Sequence, residues 1–208
     1  GALDLLRALQ IREVTPNQYL HIEYNEPVFV QLNSPDLYVH PTLTQWDTKH
    51  FYQHHGEYIS QFKGYAACTD LLVNGIYWTA DLPRLFEAED TQDPEKFKPT
   101  VIADISCDVE GSVPITYKAT SIAEPVIGWS RRTQSPCEPY TEDSVDVMAV
   151  GNLPNELPKD ASEEFGEMLL QLVMPEFMSG KSRLIEEATI TQSGNLTAHF
   201  QYLSDFVQ

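Results

Sequence analysis

The sequence predicts an α/β fold. Two apolar runs that break at turn residues, "LLVNGIYW" over 71–78 and "VIADISCDVEGS" over 101–112, read as buried strands. Helical patterns lie around and between such runs, the strongest being "DASEEFGEMLLQLVMPEFM" over 160–178. Strands that alternate with helices favour the α/β class over sandwiches or bundles.

The elements follow in order. "GALDLLRALQ" is helical, with Leu3, Leu6 and Leu9 on one side. "IREVTP" reads as a short strand ended by Pro16, and residues 17–48 as polar and turn-rich, with a strand in "EPVFVQL". "WDTKHFYQHHGEYISQF" reads as one helix capped by Asp47 or Thr48. After the strand "CTDLLVNGIYW", "LPRLFEAED" predicts a short helix and "TQDPEKFKP" a charged loop. "ITYKATSI", "PVIGW" and "VDVMAVGNLP" predict further strands. The helix over 160–178 takes Ser162 as its N-cap, with acidic residues in the first turn. "IEEATITQSGNLTAHF" predicts a hairpin turning at Ser193 and Gly194, before a last short helix.

A length of 208 residues suits one domain, or one domain and part of a second. With 42% hydrophobic and 11% aromatic residues, the chain is not disordered. Thirteen Lys and Arg face 31 Asp and Glu, a net charge of −18 that argues against nucleic acid and anionic membranes as partners. Cys68, Cys107 and Cys137 are odd in number and far apart, which fits neither a disulfide framework nor a zinc knuckle. Reduced thiols and the lack of a signal-peptide pattern lead to an expected cytoplasmic location. "MLLQLVMPEFM" is too short to span a bilayer.

The chemistry concentrates in 101–112. Read as a strand, the stretch puts Asp104, Ser106 and Asp108 on one face, and Val101, Ala103, Ile105 and Cys107 on the other. Its carboxyl end opens into a polar loop, where open α/β sheets place ligands. A local cap is the plainer reading of such aspartates. Asp108, nearest the strand end, suits a ligand-facing role better than Asp104. His50, His54 and Glu57 have the spacing to share a helix face and chelate a metal. They lack a metalloprotease pattern, and a solvated face is the reading adopted. Neither a nucleophile elbow nor a Walker loop nor a G-x-G-x-x-G occurs in the sequence. Residues 1–9 nevertheless look like the helix that such a glycine loop introduces, with Gly1 and Ala2 small enough for close approach.

"HHGEYISQF", "LLVNGIYW", "LPRL", "IADISCDVEGS", "NLPNELPKDASEEFGEML" and "ATITQSGNLT", in this order, resemble the lysine–2-oxoglutarate reductase family, the saccharopine dehydrogenases. More distantly the chain is similar to alanine dehydrogenase and the transhydrogenase cofactor domain. The resemblance runs from Gly1 to about Leu203. It implies a Rossmann-like, mostly parallel sheet over 1–155 that lacks its first strand. Residues 156–208 would then be a crossing helix and hairpin of a substrate domain lying mainly upstream. By position, Asp108 matches the family's active-site aspartate, Ile105 would line the nicotinamide, and Asp104 would hold the strand end. Asn74, Gly75, Ile76, Tyr77 and Trp78 match the loop beside the dinucleotide. Val150, Asn152, Leu153 and Pro154 match the turn at the nicotinamide, where Gly151 replaces an expected acidic residue. The implied cofactor is NAD or NADP, and the implied substrates of the complete enzyme are lysine, 2-oxoglutarate and saccharopine.

The family's catalytic lysine and histidine, and its pyrophosphate-binding glycines, fall before the matched region. The chain alone is therefore expected to be inactive and to bind NAD(P) weakly. A homo-oligomer, or association with an upstream half, is expected to cover the sheet edge left by the missing strand. Two other readings stay open: a non-enzymatic interaction or regulatory module derived from this fold, and part of an alanine dehydrogenase-like enzyme.

Overall fold

In the computed structural model, which describes residues 1–207, the chain divides into two units, Gly1–Gly151 and Asn152–Gln208. The first opens with helix α1 (Ala2–Ala8), none of whose residues is buried, and strand β1 (Arg12–Glu13). Pro16 starts helix α2 (Pro16–His21) and does not end a strand. Thr15 caps it by accepting the Gln18 N–H, and proline at the first helical position sacrifices no hydrogen bond. Strand β2 (Val28–Phe29) pairs parallel with β1. Helix α3 (Ser34–Leu37) then leads into strand β3 (Tyr38–Val39) within the stretch expected to be turns.

The single helix expected from Trp46 to Phe62 is broken in two. Helix α4 (Thr48–Gln53) does start on Asp47, whose carboxylate accepts the His50 N–H. It ends at His54, and a 3-10 turn (His55–Glu57) leads into strand β4 (Ile59–Ser60), which pairs antiparallel with β3. Helix α5 (Phe62–Ala66) follows. The break lets Phe51, Tyr58 and Phe62 all enter one core, each at most 4% exposed. Tertiary burial here outweighs the local helical pattern.

Strands β5 (Leu71–Asn74), β6 (Val101–Asp104), β7 (Val126–Ser130), β8 (Ser135–Cys137) and β9 (Ser144–Met148) form one sheet in the order β5-β6-β9-β7-β8. β5, β6 and β9 are mutually parallel, while β7 runs antiparallel to both β9 and β8. Four of the five strands thus point the same way. One face carries the core, with Ile102, Val145 and Val147 fully buried against Phe86, Phe97, Val113 and Ile115. On the other face Leu71, Val73 and Val101 remain 38–54% exposed, so β5 is a half-open edge strand and not the buried one its apolar run suggested.

Two other expectations give way. "LPRLFEAED" contributes only to a 3-10 turn, Ala88–Gln92, although Leu82, Leu85 and Phe86 have the spacing of one helical face and are all buried in the core. "ITYKATSI" is not a strand. Ile115 and Thr116 fold under the sheet, and only Thr120 bridges, to Val150. Arg131 closes this side of the unit. Its buried guanidinium donates to the carbonyls of Thr91, Phe97 and Pro99 at 2.7–2.9 Å, and burial pushes its pKa down.

In the second unit, helix α6 (Pro158–Met168) starts four residues before Ser162, with Pro158 at its first position. Proline's fixed φ takes over the role expected of the serine cap. A π turn (Leu169–Val173) leads into α7 (Met174–Met178). Pro175 lacks an N–H and crowds the carbonyl four residues back, and the wider π turn relieves both faults. Helix α8 (Arg183–Ala188) precedes hairpin strands β10 (Thr191–Gln192) and β11 (Asn195–Leu196). Ser193 and Gly194 turn the hairpin, both with positive φ. A 3-10 segment, Ala198–Phe206, follows.

Candidate functional site

The parallel strands β5, β6 and β9 end abreast. Asn74 pairs with Asp104 and Ala103 with Met148, so the segments after each strand emerge side by side. Asp104 is completely buried, and its carboxylate accepts three hydrogen bonds. Asn74 Nδ2 (2.9 Å) and Ser106 Oγ (2.6 Å) donate to one oxygen, and Thr116 Oγ1 (2.7 Å) to the other. Asn74 Nδ2 also reaches Ser112 Oγ at 2.8 Å. A buried charge survives only with such full satisfaction. Asp104 therefore gathers the loop over 105–116 beneath the sheet edge.

That loop turns sharply. Cys107 and Glu110 take positive φ, and the Cys107 thiol donates to the Val150 carbonyl at 3.1 Å. Burial first, then the nearby Asp104 and Asp108 carboxylates, push this thiol's pKa up, which keeps it protonated and able to donate. Residues 108–111 form a tight turn closed by the Gly111 N–H donating to the Asp108 carbonyl at 3.0 Å. Arg84 straps the turn from the segment after β5. Its Nη2 donates to the Glu110 carbonyl (2.7 Å), its Nε to the Gly111 carbonyl (3.0 Å), and its guanidinium lies 5.7 Å from the Trp78 ring centre. Asp108 is held exposed on this turn.

The strand ends at Asp104, so a turn and not strand alternation sets the direction of Asp108. Among the other residues singled out, Asn74 is buried with its amide spent on the Asp104 network. Gly75 is exposed, with no atom within 4 Å of where a Cβ would stand. Ile76 and Trp78 pack partly against the core, and Trp78 Nε1 donates to the Leu82 carbonyl. Tyr77 is 84% and Ile105 42% exposed, whereas Val150 is buried. In the second unit, Asn152 takes a left-handed conformation before the 3-10 turn Leu153–Glu156, with Asn152 and Pro154 exposed and Leu153 half-buried. Sequence reasoning missed Arg84, Ser112 and Thr116, and took Gly111 only as the glycine that stops the run. The only signal for them was their presence in the quoted blocks "LPRL" and "DVEGS" or just beyond.

The sheet and its edge define an α/β protein with a mostly parallel central sheet, compatible with a Rossmann-like fold. No family model matches the sequence. The chain is 31% identical over 189 residues to the alpha-aminoadipic semialdehyde synthase of Arabidopsis thaliana, covering 88% of this chain and 16% of that protein. It is 29% identical over 184 residues to the mitochondrial alpha-aminoadipic semialdehyde synthase of Rattus norvegicus, covering 76% and 20% respectively. To the NAD(+), L-lysine-forming saccharopine dehydrogenase of Neurospora crassa it is 31% identical over 105 residues, covering 49% and 26%. The chain is a homologue of this lysine–2-oxoglutarate reductase and saccharopine dehydrogenase family. It spans 16–26% of the length of these relatives. No helix among the described residues is long and apolar enough to cross a membrane. The rat relative is named as mitochondrial and so lends no support to the expected cytoplasmic location.

Proposed function

We propose that the chain is the dinucleotide-side portion of an NAD(P)-dependent oxidoreductase of lysine metabolism, which condenses lysine with 2-oxoglutarate to saccharopine or runs the reverse. Residues 1–155 are part of a Rossmann-like domain without its first strand, and 156–208 are the crossing helix and a segment of the substrate domain. One observation carries this reading: three parallel strands end abreast and leave Asp108 exposed in a strapped turn, with Ile105 and Tyr77 exposed after the same strand ends.

The residues present fit the nicotinamide end of a dinucleotide. Ile105 offers an exposed apolar wall, and the open space at Gly75 admits a flat ring. When bound, the dinucleotide supplies or takes up the hydride. The Asp108 carboxylate accepts a hydrogen bond from the reacting amine and orients its nitrogen, and Ile105 keeps water from the ring face. The pyrophosphate finds no glycine loop in these 208 residues. The chain alone therefore binds NAD(P) weakly and turns over no lysine, and it works as an oligomer or with an upstream half.

The test mixes the chain with the upstream segment of the Arabidopsis relative and follows oxidation of NADPH dependent on lysine and 2-oxoglutarate. Turnover appears only on mixing, and Asp108→Asn lowers it by about 100-fold or more. Asparagine at 108 with full activity overturns the role of Asp108, and alanine-dependent turnover in place of lysine-dependent turnover overturns the substrate class. Calorimetric titration of the chain alone with NADH or NADPH shows no micromolar binding.

A further inference from the structure

Three histidines converge on one glutamate in the first unit, outside the strand-end network. Helix α4 stops at His54, and the 3-10 turn that follows brings Glu57 back toward the histidines. His40 Nε2 lies 3.2 Å and His50 Nε2 3.9 Å from Glu57 Oε2, and His54 Nδ1 lies 3.3 Å from Glu57 Oε1. The ligating atoms of His40, His50 and Glu57 all fall within 4.8 Å of one another. The His40 hydrogen bond first, then the neighbouring His54 and His50, hold the Glu57 carboxyl below the usual carboxylate range.

The hydrogen bonds assign different roles to these rings. His40 Nδ1 accepts the backbone N–H groups of Thr42 (3.2 Å) and Leu43 (3.1 Å). A ring nitrogen that accepts carries no proton, so neutral His40 has its proton on Nε2 and donates it to Glu57. His40 thus has no lone pair left for an ion. His50 is the opposite case. Its Nδ1 meets the Tyr58 hydroxyl at 3.2 Å, and donating there frees the Nε2 lone pair toward Glu57. Such a partner on the far nitrogen is what a ligating imidazole ordinarily has.

Ligand atoms around a tetrahedral zinc ion at about 2.0–2.2 Å stand roughly 3.3 Å apart. The Glu57–His54 pair is already at that spacing. The Glu57–His50 distance is to the other carboxylate oxygen, so the carboxylate must turn or bind through both oxygens, and this pair must close by about 0.6 Å from 3.9 Å. The His50 and His54 rings are stacked, with centroids 4.5 Å and planes 28° apart, so His54 must also turn to aim its lone pair at an ion held by His50; His54 and Glu57 are 47% and 54% exposed and have room to do so.

We infer that His50, His54 and Glu57 bind a zinc-like divalent ion, with water completing its shell and His40 positioning Glu57 through a hydrogen bond. The ion would clasp the end of α4 to the turn that follows it, beside the Trp46, Phe51 and Tyr58 rings.

Calorimetric titration of the full, metal-stripped chain with zinc chloride at neutral pH tests this. One ion binds per chain with low-micromolar affinity, and zinc raises the melting temperature. His50→Gln and His54→Gln each weaken binding more than about tenfold. His40→Gln keeps an amide donor for Glu57 and stays within about threefold of wild type, whereas His40→Ala loses about tenfold. These side chains lie at the surface or half-exposed, and far-UV circular dichroism without metal verifies that each variant is folded. An absence of saturable zinc binding by the wild-type chain overturns the site. Loss of binding by His40→Gln as large as that of His50→Gln overturns the role given to His40.

Discussion

A Cβ placed on Gly111 would stand 2.6 Å from the Cβ of Asp108 and 3.0 Å from its carbonyl oxygen. Gly111 is also buried, so it has no room to retreat. Glycine is thus what lets the turn close on Asp108. Gly111→Ala is expected to cost about 1–3 kcal/mol as the turn opens. Urea unfolding measures the loss, and an unchanged midpoint would contradict the close packing.

Arg84 holds the same turn from outside. Arg84→Met leaves the Glu110 and Gly111 carbonyls without their charged donor, an expected loss of about 1–2 kcal/mol for a side chain that is 31% exposed. Arg84→Lys recovers only part, because an ammonium cannot fork to two carbonyls and lie over Trp78 at once. Hydrogen exchange at the Gly111 amide should speed up in Arg84→Met, and protection equal to wild type would show the strap to be superfluous.

Asp104 is the keystone of the strand ends. In Asp104→Asn an amide N–H must face at least one of the donors Asn74, Ser106 and Thr116, which costs roughly 2–4 kcal/mol. Thr116→Val removes a single donor and should cost less, about 1–2 kcal/mol. If chemical denaturation found Asp104→Asn within about 0.5 kcal/mol of wild type, the network would not be holding the loop.

Acid should loosen the segment around α4. The Asp47 carboxyl is held below the ordinary carboxylate range, first by the His50 backbone N–H, and Glu57 is lowered first by His40. A carboxyl lowered in the folded state stabilises it fully above the unfolded value, near pH 4, and loses that contribution as pH falls through the folded value. Both groups are at the surface, so the effect is small and sensitive to salt. Thermal melts in acid should show a weaker decline for Asp47→Ala than for wild type, and parallel declines would count against the cap.

Much of this architecture was legible in the residues alone. The apolar runs at 71–74, 101–104, 126–130 and 144–148 are strands because β-branched and apolar side chains crowd between turn residues. Asp47 marks the start of α4, and Ser193–Gly194 marks the hairpin, because caps and positive-φ turns are local chemistry. Periodicity, however, records only which residues want burial and not where the core lies. Phe51, Tyr58 and Phe62 could share a helix face, yet they reach one core only by breaking the helix, and that break is what returns Glu57 to the histidines.

The residue types and their order by themselves determined the α/β class, a strand starting at Val101, the polar glycine-containing loop after it and the kinship with the lysine-pathway enzymes. Tertiary structure alone decided that Asp104 is buried and fully bonded while Asp108 stands exposed, that Arg84 crosses from another loop to hold it, and that His40 serves Glu57 as a donor. The reason is physical. Local preferences act over a few neighbouring residues, whereas these roles depend on groups 12 to 30 positions apart that meet only when the core excludes water.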